Sequence, residues 1–201
     1  MKLYYSPGAC SLSPHIVIRE AGLPAEAVKV DLKAKKTEKG EDYARINPKG
    51  YVPALELDDG QVLTEGPAIV QYLADKKPDA KLAPPAGSLE RTRVQEWLNF
   101  ISTELHKSFS PLFGADTPDA YKAIAKKRLS DRLALVDRHL AGKDYLMGKS
   151  FSIADAYLFT VASWSKYVDL DISGLKNLGA FLARMAARPA VQAALKAEGL
   201  A

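Results

Sequence analysis

The sequence predicts an α/β unit followed by an all-helical one. Three observations carry that expectation. Short strand-like runs alternate with helical stretches up to about residue 80, everything beyond it has helical spacing, and residues 78–88 between them hold Pro78, Pro84, Pro85 and Gly87. The expected division is an α/β unit over 1–77, a linker over 78–88 and a helical unit over 89–201.

The elements follow in order. Lys2–Tyr5 has strand character, and Ser6–Pro7–Gly8 is a turn. A helix is expected from about Cys10–Ser11, with Pro14 tolerated early and Gly22 as its C-terminal stop. Val28, Val30 and Leu32 alternate with Lys29 and Asp31, which is strand periodicity; KAKKTEKG reads as a polar loop. Tyr43–Ile46 is a short helix stopped by Asn47–Pro48. Runs 52–57 and 62–64 flank Asp58–Asp59–Gly60 as a β-hairpin. A helix runs from Glu65 to about Lys76. A long helix over Leu89–Ser110 carries Val94, Trp97, Leu98, Ile101 and Leu105 on one face. Further helices are expected near 120–140, from Ser152 with an S-x-x-D start at Asp155, and near 177–187 and 189–198.

Composition excludes several classes. At 201 residues the chain can bury a core without disulfide or metal staples. Its 47% hydrophobic and 26% charged residues are those of a globular protein. The 28 basic and 24 acidic residues leave a net charge of +4, too small to argue for a nucleic-acid partner. The one cysteine, Cys10, excludes an internal disulfide, and no Cys/His grouping has zinc-ligand spacing, so no metal is expected. No apolar run approaches the roughly 20 residues of a membrane helix, and Ile16–Ile18 is too short for a secretion signal core. A cytoplasmic protein without membrane contact is the expectation.

Three motifs carry chemistry. Cys10 falls at a helix start, where backbone N–H groups favour a negative charge and suit a thiolate; a buried, inert cysteine is the alternative. Its surroundings are C-x-x-S, so any disulfide chemistry must borrow an outside thiol. In NPKGYVPALEL, a cis Val52–Pro53 bond would turn the Val52 backbone toward an extended ligand, although most X–Pro bonds are trans. Glu65–Gly66 opens a helix, and a carboxylate side chain beside helix-start N–H groups suits the ammonium and carboxylate of an α-amino acid. Simple complementation of the helix dipole is the alternative.

Taken together, YYSPGACSLSPHI, NPKGYVPALEL, LTEGPAIVQYLAD, LNFISTELHKSFSPLF and SIADAYLF resemble the cytosolic glutathione S-transferases, above all the bacterial beta class. The resemblance spans essentially the whole chain. It implies a thioredoxin-like domain followed by a helical domain, detoxification chemistry, a homodimer, and glutathione as cosubstrate at the domain cleft. It also implies roles. Cys10 would sit beside the glutathione sulfur, Val52 next to a cis Pro53 would pair with the cysteinyl part, Glu65 and the Gly66 N–H would hold the γ-glutamyl end, and Lys35 would reach the glycyl carboxylate. Asn99, Thr103, His106 and Lys107 would face the site from the helical unit, His106 as a catalytic partner of Cys10. Their i, i+4, i+7, i+8 spacing makes one stripe on an α-helix. Phe109, Phe113, Tyr157 and Trp164 would line a pocket for an apolar electrophile, with core packing the competing role. Other classes place Tyr or Ser where Cys10 stands; Tyr5 and Ser11 are minor candidates for a hydroxyl donor. His15 and His139 read as structural.

The resemblance implies glutathione transfer to an apolar electrophile. Glutathione-dependent thiol–disulfide exchange or reductive dehalogenation through Cys10 is the second reading, and non-catalytic ligand binding on the same fold the third.

Overall fold

The computed structural model describes residues 1–201, and its contacts divide the chain into two compact units: residues 1–83 with 188–201, and residues 84–187. The first unit holds a five-stranded sheet in the order β3-β2-β1-β4-β5. β1 (Lys2–Tyr5) runs parallel to β2 (Glu26–Asp31) and antiparallel to β4 (Ala54–Glu56), which pairs with β5 (Val62–Thr64) in the expected hairpin. The parallel step from β1 to β2 is bridged by α1 (Leu12–Ala21), which Gly22 ends in the left-handed conformation. α2 (Tyr43–Ile46) and α3 (Gly66–Lys76) complete the α/β part. Tyr4, Val28, Val30, Tyr43, Val52 and Ala54 bury together in one small core against the sheet.

Three features of the first unit differ from the sequence expectation. Lys36–Thr37, expected within a polar loop, forms a two-residue strand, β3, antiparallel to Val30–Asp31. α1 begins at Leu12, one to two residues later than expected. Cys10 instead lies in a run of tight turns in which Ala9 N–H bonds Ser6 O, Leu12 N–H bonds Ala9 O and Ser13 N–H bonds Cys10 O. Ser11 does not cap α1; its buried hydroxyl bonds the Ser6 N–H and carbonyl, both at 3.2 Å, and closes that turn.

The third difference is at the C-terminus. Residues 188–201, expected in the helical unit, pack with the first unit. α9 (Pro189–Ala197) lies along α1. Arg188 grips Glu20 with two bonds of 2.6 and 2.9 Å. The buried Glu198 accepts the Gly8 N–H and pairs with His15 Nδ1, both at 2.9 Å.

The second unit contains α4 (Leu89–Phe100), α5 (Lys107–Phe113), α6 (Asp119–His139), α7 (Ile153–Ala162) and α8 (Lys176–Ala186). The single helix expected over 89–110 is interrupted at Ile101–His106 by a π-helical turn, with Lys107 N–H reaching back five residues to the Ser102 carbonyl. Glu104 in this turn bonds Arg128 and Arg132 of α6 at 3.1 and 2.8 Å, and those guanidinium groups hold its carboxyl below the usual range. No helix in the chain is long and apolar enough to cross a membrane.

α7 is buried along its whole length, so its start has no access to water for its orphan N–H groups. Asp155 supplies the partner. Its fully buried carboxylate accepts from the Ser152 N–H (2.7 Å), the Ser152 hydroxyl (2.8 Å) and the Leu146 N–H (2.8 Å), tying the preceding loop to the helix. Asp155→Ala is expected to cost about 2–4 kcal/mol, the loss of a buried charged acceptor with several donors left unpaired. A thermal melt showing an unchanged midpoint would refute this account of α7.

Candidate active site

The sequence-expected residues of the first unit converge on the segment 47–53. Asn47, only 1% exposed, stops α2 and folds the segment back. Its side-chain amide donates to the Tyr51 carbonyl at 2.7 Å, and its side-chain oxygen accepts the Lys49 N–H at 3.1 Å. The Tyr43 hydroxyl donates to the same Tyr51 carbonyl at 2.9 Å; burial pushes that phenol above its ordinary pKa. Gly50 turns the chain at φ +70°, a conformation that favours glycine. Lys35 lies across this turn, its ammonium 2.6 Å from the Gly50 carbonyl.

Beyond the turn, Val52 is 3% exposed and its bond to Pro53 is cis. The half-buried Cys10 donates its thiol hydrogen to the Val52 carbonyl, with Sγ 3.1 Å away. The turns before α1 thus bring the lone sulfur to the backbone that the sequence singles out.

Glu65 stands before α3 with φ +69°, uncommon for a non-glycine residue. Four non-glycine residues have positive φ: Lys35, Glu65, Lys81 and Asp169. Two of the four are candidate site residues, and backbone strain of this kind clusters at functional sites. Glu65 Oε1 accepts from Lys49 Nζ at 2.7 Å and from the Tyr51 hydroxyl at 2.6 Å. These bonds raise the pKa of both donors.

Lys49, Tyr51, Asn47 and Tyr43 are the residues that sequence reasoning misses. The signal lies in NPKGY, whose Asn-Pro and Gly read first as turn punctuation. Tyr5 is buried against the His15 ring, and Ser11 closes the turn that precedes α1.

In the second unit, Asn99, Thr103 and Lys107 are exposed and His106 is half-buried. The π-helical turn lies between Asn99 and Lys107, so the α-helical spacing that puts all four on one stripe does not hold across it. His106 is instead oriented by aromatic neighbours. Its Nδ1 lies 2.7 Å from the Tyr157 hydroxyl, and its ring meets the edge of Trp164 at 4.9 Å. Phe109 and Phe113 both contact Trp164 edge-on. Phe109, Tyr157 and Trp164 are buried, whereas Phe113 is 52% exposed. Of the four aromatic residues expected to face an electrophile, Tyr157 and Trp164 contact His106, Phe109 packs on Trp164, and Phe113 is open to solvent. A separate groove of about 550 Å³ is lined by Trp97, Phe100, Leu135, His139, Leu146 and Met147, and by none of these four. His139 there bonds the Leu146 carbonyl at 2.9 Å and packs on Trp97. No cluster of His, Cys, Asp or Glu could hold a metal ion.

Residues 8–76 match the model of the glutathione S-transferase N-terminal domain, and residues 100–189 that of the C-terminal domain. A glutathione S-transferase of Escherichia coli O157:H7 is 54% identical over the full length of both chains. The chain belongs to the glutathione S-transferase family, in its beta class. A solved beta-class enzyme from Sphingomonas chungbukensis is 51% identical with a TM-score of 0.97, and a sphingomonad glutathione S-transferase in complex with glutathione is 53% identical with a TM-score of 0.97. Both comparisons cover all of each chain.

In this transferase chain Asn47 ties the 47–53 segment at two points, the Tyr51 carbonyl and the Lys49 N–H. Asn47→Ala leaves the Lys49 N–H and part of the Tyr51 carbonyl unpaired, at an expected cost of about 1–3 kcal/mol. Hydrogen exchange should accelerate selectively over residues 47–53, and uniform exchange across the chain would contradict that role.

Proposed function

We propose that the chain binds glutathione in its first unit and transfers it to an apolar electrophilic carbon. The observation that carries this reading is the convergence of Cys10, Lys35, Val52 and Glu65 on one buried-anchored segment in a family whose relatives include a complex with glutathione. Each residue suits one part of the tripeptide. The Val52 backbone pairs with the cysteinyl portion as an added strand would. The Glu65 carboxylate and the Gly66 N–H take the α-amino-acid end, and the Lys35 ammonium takes the glycyl carboxylate. Cys10 faces the sulfur. His106, held by Tyr157, assists the thiolate, and Asn99, Thr103 and Lys107 contribute from the helical unit. Phe113, the exposed aromatic of its cluster, contacts the electrophile. Catalysis then consists of stabilising the thiolate and positioning it for attack. The protein acts as a cytoplasmic homodimer without a metal.

A second reading has its own observation. Cys10 is a half-buried thiol 3.1 Å from a backbone carbonyl, with no second cysteine in the chain. Its thiolate attacks a glutathione-containing disulfide, forms a mixed disulfide and releases a thiolate; a glutathione thiolate then attacks the mixed disulfide and regenerates Cys10. Electrons come from glutathione alone.

Purified protein is expected to bind immobilised glutathione and to conjugate 1-chloro-2,4-dinitrobenzene. Absence of both would sink the transferase reading. Cys10→Ala separates the two chemistries: disulfide exchange should disappear while conjugation persists within about tenfold. Equal loss of both would give Cys10 one shared role.

A further inference from the structure

The cation beside Glu65 has no part in the reading above. Lys49 Nζ lies 2.7 Å from Glu65 Oε1 and 2.8 Å from the Thr64 hydroxyl. The two charged side chains are 47% and 54% exposed, so a ligand can reach both and the ion pair opens easily. Tyr51 donates to the same Glu65 oxygen at 2.6 Å and holds the carboxylate in place when Lys49 moves.

An α-amino acid presents a cation and an anion on one carbon. Glu65 answers only the cation. The start of α3 is a poor partner for the anion, because Pro67 has no N–H and the Ala68 and Ile69 N–H groups both bond the Glu65 carbonyl at 3.0 Å. Gly66 contributes a single backbone donor from that stretch. A full positive charge is therefore the missing complement, and Lys49 places one within hydrogen-bond distance of the carboxylate that takes the ammonium. When the pair opens around a zwitterion, each protein charge exchanges one partner for another of the same sign, and no charge is left buried without a partner.

We propose that Lys49 is a binding residue for the α-carboxylate at the γ-glutamyl end of the ligand, with Glu65 taking the α-ammonium and Tyr51 positioning Glu65. This rests on the glutathione reading and adds a residue to it. Lys49 sets specificity for a free α-amino-acid end.

The test uses the full-length protein, Lys49→Met and Lys49→Arg, with calorimetric binding of three peptides: glutathione, its analogue lacking the α-carboxylate (4-aminobutyryl-Cys-Gly) and its analogue lacking the α-amine (glutaryl-Cys-Gly). Lys49→Met is expected to weaken glutathione and the glutaryl analogue by about tenfold and to leave the aminobutyryl analogue within twofold, since only the first two retain the carboxylate. Lys49→Arg should keep glutathione within about threefold. The proposal is overturned if Lys49→Met binds glutathione as tightly as the unsubstituted protein or more tightly, which would make Lys49 a competitor of the ligand. Equal losses on all three peptides overturn it as well. If the unsubstituted protein binds none of the three, the glutathione reading itself falls.

Discussion

The Tyr51 carbonyl is the point on which the first unit's chemistry depends. Two buried donors, the Tyr43 hydroxyl and the Asn47 amide, meet on it. That shared acceptor fixes the backbone just before Val52, and through it the carbonyl that receives Cys10, the turn that Lys35 spans and the tyrosine that holds Glu65. Tyr43 and Val52 belong to the same small core, so the site is continuous with the packing beneath it. A polar anchor in that position resists sliding in a way that apolar contacts alone do not, because a displaced buried donor loses a hydrogen bond that water cannot replace.

Much of this is legible in the sequence, for physical reasons that differ by residue. Cys10, Val52–Pro53 and Glu65 stand out because thiol, imide and helix-start carboxylate each have a local signature. Lys49 and Tyr51 do not, since a lysine or tyrosine in a turn looks the same whether it points to water or to a carboxylate. The strand at Lys36–Thr37 is invisible for lack of length, as two residues cannot show an alternation. Apolar spacing marks the face of the 89–110 helix yet leaves unmarked the π-helical turn inside it, because Val94, Leu98, Ile101 and Leu105 stay buried through the change.

His106 illustrates the same limit in the second unit. Its identity is readable, whereas its environment depends on Tyr157 and Trp164, about fifty residues further along the chain. Aromatic side chains that the sequence offers as pocket walls serve mainly to hold an imidazole. The Tyr157 hydroxyl bonds one ring nitrogen, and the edge contact with Trp164 restricts the ring's rotation. Holding an imidazole in this way requires rigid neighbours, and buried aromatic residues with few rotatable bonds supply them.

The return of residues 188–201 to the first unit has a consequence for how the protein is made. Glu198 holds the Gly8 N–H in the turns that carry Cys10, and Arg188 holds Glu20 on the helix that follows. During synthesis the α/β part emerges first, but those two contacts wait until residues 188–198 have left the ribosome. The intervening helical residues must be delivered before the cysteine loop receives its last partner. A nascent chain that lacks residues 188–198 would therefore carry the thiol in a loop without that restraint.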